Sequence, residues 1–86
     1  MAFAQKFLEA RTKIDALLFE YGMSGEDIIL QLYREVVDAD EKELDSRTKV
    51  ELIERIGEAN FRIVEGANER IQLEALVAQI MKHARA

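Results

Sequence analysis

Apolar residues recur at three- and four-residue steps along most of the chain, and proline, which would interrupt such a pattern, is absent. That pairing restricts the fold to helices. β-Branched residues do not alternate with polar ones as half-buried strands require. Ala, Leu, Glu, Arg, Lys and Gln dominate, and all of them enter a helix at little cost. The expected class is all-α: a compact bundle of four main helices at about 3–21, 24–38, 46–65 and 69–84, forming one domain over 1–86.

In the first helix, Phe3, Phe7, Ala10, Ile14, Leu17, Leu18 and Tyr21 form one stripe, and Gly22 is placed to end it as a left-handed cap. Leu8 and Phe19, eleven residues apart, line up with each other but point away from that stripe. Ser24 followed by Gly25, Glu26 and Asp27 reads as a capping box, with Met23 and Ile28 as its hydrophobic staple. The second helix sets Ile29, Leu32, Tyr33 and Val36 on one side. Asp38 to Ser46 reads as a polar, acidic linker, the least constrained segment.

A third helix starts between Asp45 and Thr48, where Thr48 and Glu51 offer a second capping box, and runs to Val64 or Glu65 before Gly66. On its wheel Ala59, Leu52, Ile63, Ile56, Asn60, Ile53, Val64, Gly57, Val50 and Phe61 share an arc of roughly 200°. So wide an apolar arc predicts a central helix packed on more than one side, with Asn60 buried and hydrogen-bonded. Glu51–Arg55 and Glu58–Arg62 pair on the rest. Asn68 is a natural N-cap for the last helix. Its stripe is Leu73, Leu76, Val77, Ile80 and Ala84, while Ala75 and Ala78 lie on another side that a second helix could approach closely. The expected core is Ile53, Ile56, Asn60, Ile63, Leu73, Leu76 and Ile80.

Little chemistry is available. The formal net charge of −5 argues against a domain that grips phosphate backbone through a general basic field. There is no cysteine, so neither a disulfide framework nor a thiolate metal site, and the lone His83 cannot build a His-based site unaided. A reducing, intracellular setting fits. No apolar run nears the roughly 20 residues of a membrane span, and MAFAQKFLEAR carries charge where a signal peptide would be apolar. No phosphate-binding glycine loop occurs. Acidic pairs such as Glu26–Asp27, or Asp38 with Asp40 and Glu41, read as helix caps and solvated linker charge. No catalytic, cofactor-binding or metal-binding residues are therefore expected. The candidate features are contact surfaces: Leu8 with Phe19 on the first helix, which could equally cover another part of this small core, and Gln72, Ala75 and Gln79, amphipathic without strong charge, on the last.

At Gly57 to Gln79 the chain reads GEANFRIVEGANERIQLEALVAQ. This closely resembles the end of archaeal replication factor C small subunits, with their D-F-R-x-x-E-G-A-N-E-R-I-Q-L-E-A-L-type block. KFLEARTKIDALLFEYGMSGEDII at Lys6 to Ile29 resembles the family's matching first helix and turn, and only Asp38 to Lys49 matches poorly. Asn60 stands where the family has an acidic residue, keeping a polar group and removing a charge. The resemblance implies a C-terminal collar domain, an oligomerisation module of a sliding-clamp loader and not itself an enzyme. It implies that the parent protein's N-terminal ATPase module, of the AAA+ class with its ATP and Mg, and the lid lie outside this chain. It further implies self-association and contact with the loader's large subunit through the collar. Sliding clamp and primer-template DNA are reached only through the intact complex, in the cytoplasm at the replication fork and with no membrane. A ring made by rotation needs two different faces per copy.

Two other classes remain open on the residues. Arg11 to Gly22 is faintly like the first helix of short all-α mutases, which hold a dianion with basic side chains converging in a pocket. A free-standing helical adaptor or DNA-binding domain would need an exposed basic recognition helix, and the basic residues here are scattered.

Overall fold

Residues 2–83 are described by a computed structural model, with side chains from Lys6 onward. Among the described residues there are four helices: α1 (Ala2–Asp15), continued by a π-helical turn (Ala16–Glu20), α2 (Gly25–Asp38), α3 (Ser46–Val64) and α4 (Glu69–His83). No strand occurs among the described residues. The side chain of Phe3 and the whole of Ala84 lie outside what is described.

Each boundary has a local cause. Gly22 at φ 68° turns the chain out of the first helix, and Met23 N–H closes the turn by donating to the Leu17 carbonyl at 2.9 Å. Ser24 then caps α2 with a full capping box: its hydroxyl accepts from Asp27 N–H at 3.1 Å while its own N–H donates to the Asp27 carboxylate at 3.4 Å. The cap of α3 differs from expectation. Asp45, not Thr48, is the N-cap, and its carboxylate accepts from Thr48 N–H at 2.8 Å. A carboxylate there also meets the positive end of the helix dipole, which a threonine hydroxyl cannot do as well. Asn68 caps α4 by accepting from Ile71 N–H at 2.9 Å.

The connection between α2 and α3 is more built than its acidic composition implies. Asp40 accepts from the N–H groups of Lys42 and Glu43, folding the chain back on itself, and Leu44 is buried in the core. Lys49 reaches back to the Val37 carbonyl at 3.0 Å, satisfying one of the orphan acceptors at the end of α2.

Packing reassigns the centre of the domain. α4, not α3, touches all three other helices, whereas α3 packs on α2 and α4, and α1 on α4. The sequence of α4 carries apolar residues around most of its circumference, which fits a helix with neighbours on several sides. Leu73 on α4 and Leu52 on α3 are fully enclosed, with Ile14, Ile28, Ile29, Val36, Ile56, Ala59, Ile63 and Leu76 around them. Ile80, Leu17, Leu18, Met23 and Val77 pack against this cluster from its edge.

Only one side of the wide α3 arc is buried: Leu52, Ile56, Ala59 and Ile63. Ile53 is 36% exposed and Asn60 is exposed, so neither belongs to the core, and Val50, Phe61 and Val64 also face outward. The domain is flattened, 33 × 29 × 18 Å, and has too few layers to cover the second half of that arc. Asn60 can therefore be solvated without an internal partner. Tyr21 is likewise outside, at the end of the π turn and not in the first-helix stripe.

Candidate assembly surfaces

The block Glu65 to Glu74 makes a corner that ties three helices together. Gly66 adopts φ 101° to turn the chain from α3 toward α4, and Ala67 N–H donates to the Arg62 carbonyl at 2.9 Å. Glu69, in the first turn of α4, reaches across to α2, where its carboxylate accepts from Gly25 N–H at 2.9 Å. One acidic side chain thereby satisfies an orphan donor of a neighbouring helix. A Cβ on Gly25 would lie 2.7 Å from that carboxylate oxygen, so glycine is what lets Glu69 in.

Arg70 joins α4 to α1. Its guanidinium contacts Asp15 at 3.0 Å and Glu74 at 2.9 Å, and Arg11 meets the other Glu74 oxygen at 3.0 Å. Arg11 Nε and Asp15 Oδ1 are shielded from solvent yet poorly aligned for hydrogen bonding, so their contacts are best described as ion pairs. The hydrogen bond from Arg70, with Arg11 adding to it against the cost of partial burial, holds the Glu74 carboxyl below its ordinary value. Arg70 is raised above its own, first by Glu74, with burial opposing and the charge of Asp15 adding. Two arginines and two acids balance here, leaving no net charge to attract an anion.

Two grooves flank α3. On one side Arg55, Glu58 and Arg62 of α3 face Gln72, Ala75 and Gln79 of α4 across a cleft of about 220 Å³. The expected α4 contact residues thus share one groove. Two arginines also share it, as an anion pocket would require. Glu58 lies beside them, 3.7 Å from Arg62, and both of those side chains are more than half exposed, so the cleft lacks the enclosure a dianion site needs. Arg55 does not pair with Glu51 as the spacing implied. Glu51 lies 3.9 Å from His83 instead, which places the His83 ring at the α3–α4 seam.

On the other side of α3, Leu30 and Tyr33 of α2 and Ile53, Gly57 and Asn60 of α3 surround a groove of about 250 Å³ whose floor is Ile29 and Ile56. Nothing in the helical periodicity had marked this as a surface, because a wide apolar arc reads the same whether buried or open. The signal available was Asn60 and Gly57 within that arc, two residues that suit an open face better than a core.

Leu8 and Phe19 are exposed, at 54% and 71%. The π turn that includes Phe19 takes an extra residue per hydrogen-bonded loop, marked by Tyr21 N–H donating to the Ala16 carbonyl at 3.0 Å. Phe19 is thereby rotated off the line that eleven residues of unbroken α-helix would give it. Among the described residues no group of three or more His, Cys, Asp or Glu could hold a metal ion, and no helix is long and apolar enough to cross a membrane.

Comparison with known proteins matches residues 1–79 to the model of the replication factor C C-terminal domain. The chain belongs to that family. Replication factor C small subunits are similar to it over nearly its full length. The protein from Methanococcus vannielii is 54% identical over 80 residues, covering 93% of this chain and 24% of that protein. The one from Archaeoglobus fulgidus is 53% identical over 74 residues, covering 86% and 22%. The one from Pyrococcus horikoshii is 51% identical over 79 residues, covering 92% and 9%. The chain spans about a quarter or less of the length of these relatives. The family match extends across 38–49, where the likeness of the sequence was weakest. In this member of the replication factor C C-terminal domain family, the most recognisable stretch, Glu65 to Glu74, is occupied with holding helices together. Its bracing contacts come from Glu69, Arg70 and Glu74, while Ile71 of the same stretch is exposed and Gln72 lines the α3–α4 cleft.

Proposed function

We propose that this chain is an assembly module of a sliding-clamp loader small subunit, a collar domain through which subunits join side by side. The observation that carries the reading is family membership over residues 1–79. It is supported by apolar surface left open on separate sides of the domain, at the α2–α3 groove and at Leu8, Phe19 and Ile71. In this reading the chain performs no catalysis. ATP and Mg act in the ATPase portion of the intact small subunit, and the collar holds those portions in a ring or spiral. The loader's large subunit is a direct partner through the same collar, while the sliding clamp and primer-template DNA are met only by the whole complex, at the replication fork. Leu8, Phe19, Gln72, Ala75 and Gln79 are proposed contact residues.

The test is incorporation. The 86-residue chain, added in excess to full-length replication factor C small subunit from Methanococcus vannielii under assembly conditions, is expected to enter the oligomers, which native mass spectrometry resolves by mass. Oligomers that exclude the chain at every ratio would count against the reading.

A further inference from the structure

The α2–α3 groove has an apolar floor and walls that are apolar apart from Glu26 and Asn60, and no element among the described residues covers it. Gly57, in its wall, is the informative residue. It lies in the interior of α3, where glycine costs about 1 kcal/mol relative to alanine. A Cβ at this position would meet nothing within 4 Å, so no packing inside the chain requires the glycine. What the missing side chain provides is room for another backbone to come close.

The chain itself carries a matching shape. On the side of α4 away from Leu73 and Leu76, Ile71, Ala75 and Ala78 follow one another at steps of four and three, one large apolar side chain and then two small ones. Ile71 is 64% exposed, and none of the three lines the α2–α3 groove. Charge agrees with the match. Glu26 lines the groove and Arg55 stands beside Ala75 at the α3–α4 cleft, each without an ion-pair partner among the described residues. Size agrees as well. Helices of 14 and 19 residues, about 21 and 28 Å long and roughly 9 Å apart, present a face of order 500 Å². That is below the roughly 800 Å² per partner of a standard interface and suits a contact that is weak for one pair and cumulative in a closed assembly.

We propose that the α2–α3 groove receives the Ile71–Ala78 side of α4 from a second copy, head to tail, with Ile71 as the knob and Ala75 and Ala78 crossing close to Gly57. This rests on the assembly reading above and supplies the two different faces that rotation into a ring requires.

Two variants of the whole chain separate the faces. Gly57→Leu fills the groove, and Ile71→Asp removes the knob at a first-turn position where an acid suits the helix. Both positions are exposed, and circular dichroism checks that each variant keeps its fold; G57L is expected to melt higher than wild type, since leucine is the better helix former. In sedimentation equilibrium up to millimolar concentration, wild type associates, each variant alone loses affinity by about tenfold or more, and an equimolar mixture of the two forms heterodimers, because G57L retains a knob and I71D retains a groove. If wild type associates and the variants do so equally well, or if the mixture stays monomeric, the face pairing is wrong while the assembly reading stands. Wild type that remains monomeric at millimolar concentration overturns both.

Discussion

Glu74 is shared by two arginines from different helices, and its lowered pKa ties the α1–α4 contact to pH. The sign follows from linkage: a carboxyl whose folded pKa lies below its unfolded value contributes stability above the unfolded value, and the contribution is lost as pH falls through the folded one. Glu74→Gln should therefore lower the urea midpoint at pH 7, and the gap from wild type should narrow as pH is brought below the ordinary carboxylate range. A gap that is constant from pH 7 to pH 3 would mean the charge of Glu74 is irrelevant to folding. Glu69 acts differently, through geometry. Gly25→Ala should cost about 1 kcal/mol, the value of a lost helix cap, because the new methyl group displaces the Glu69 carboxylate from Gly25 N–H. In a Glu69→Ala background the same change should cost nothing or stabilise slightly, which a double-mutant cycle in urea would reveal. In the core, Leu73→Ala should cost about 2–5 kcal/mol, since the side chain is fully enclosed.

Helix caps are where local chemistry reads most directly into structure, and they also mark where it misled. Ser24, Gly22 and Asn68 end or begin helices for reasons visible in four consecutive residues. At α3 two residues competed for the cap, and the carboxylate of Asp45 holds it. Asp45→Ala should accordingly cost about 1 kcal/mol of stability, whereas Thr48→Ala should stay within about 0.5 kcal/mol, a contrast that thermal melts can read. The π turn at Ala16–Glu20 left no trace in periodicity, because Leu17 and Leu18 flank the core side in either geometry. Ile53 and Asn60 were placed inside on the strength of the α3 wheel, and both lie at the groove. A wheel reports which residues share a side. It does not report how many neighbours a flattened, four-helix domain can supply to cover that side. The Gln72, Ala75 and Gln79 side of α4 was legible because its residues are small or amide-bearing at helical spacing, and they do share one groove. The Glu69–Gly25 link was not legible, since it joins residues 44 apart and depends on how α2 and α4 cross.

At the scale of the whole molecule, 86 residues fold with their most recognisable motif turned to internal bracing and their apolar surplus turned outward. That surplus lies on more than one side: the α2–α3 groove, the outer side of α4, and the end of the first helix at Phe19 and Tyr21. A domain this small buries only about 60–65% of its unfolded surface, so covering those surfaces with further copies would add stability as well as shape. Association should then raise the melting temperature with protein concentration, as mass action requires for a folded state that binds itself. The central claim, that this chain is built to assemble, is tested most directly by sedimentation equilibrium of the chain alone over a concentration series reaching the millimolar range. An assembling chain gives an average mass that climbs steadily above the monomer's. A single monomer mass at every concentration would contradict it.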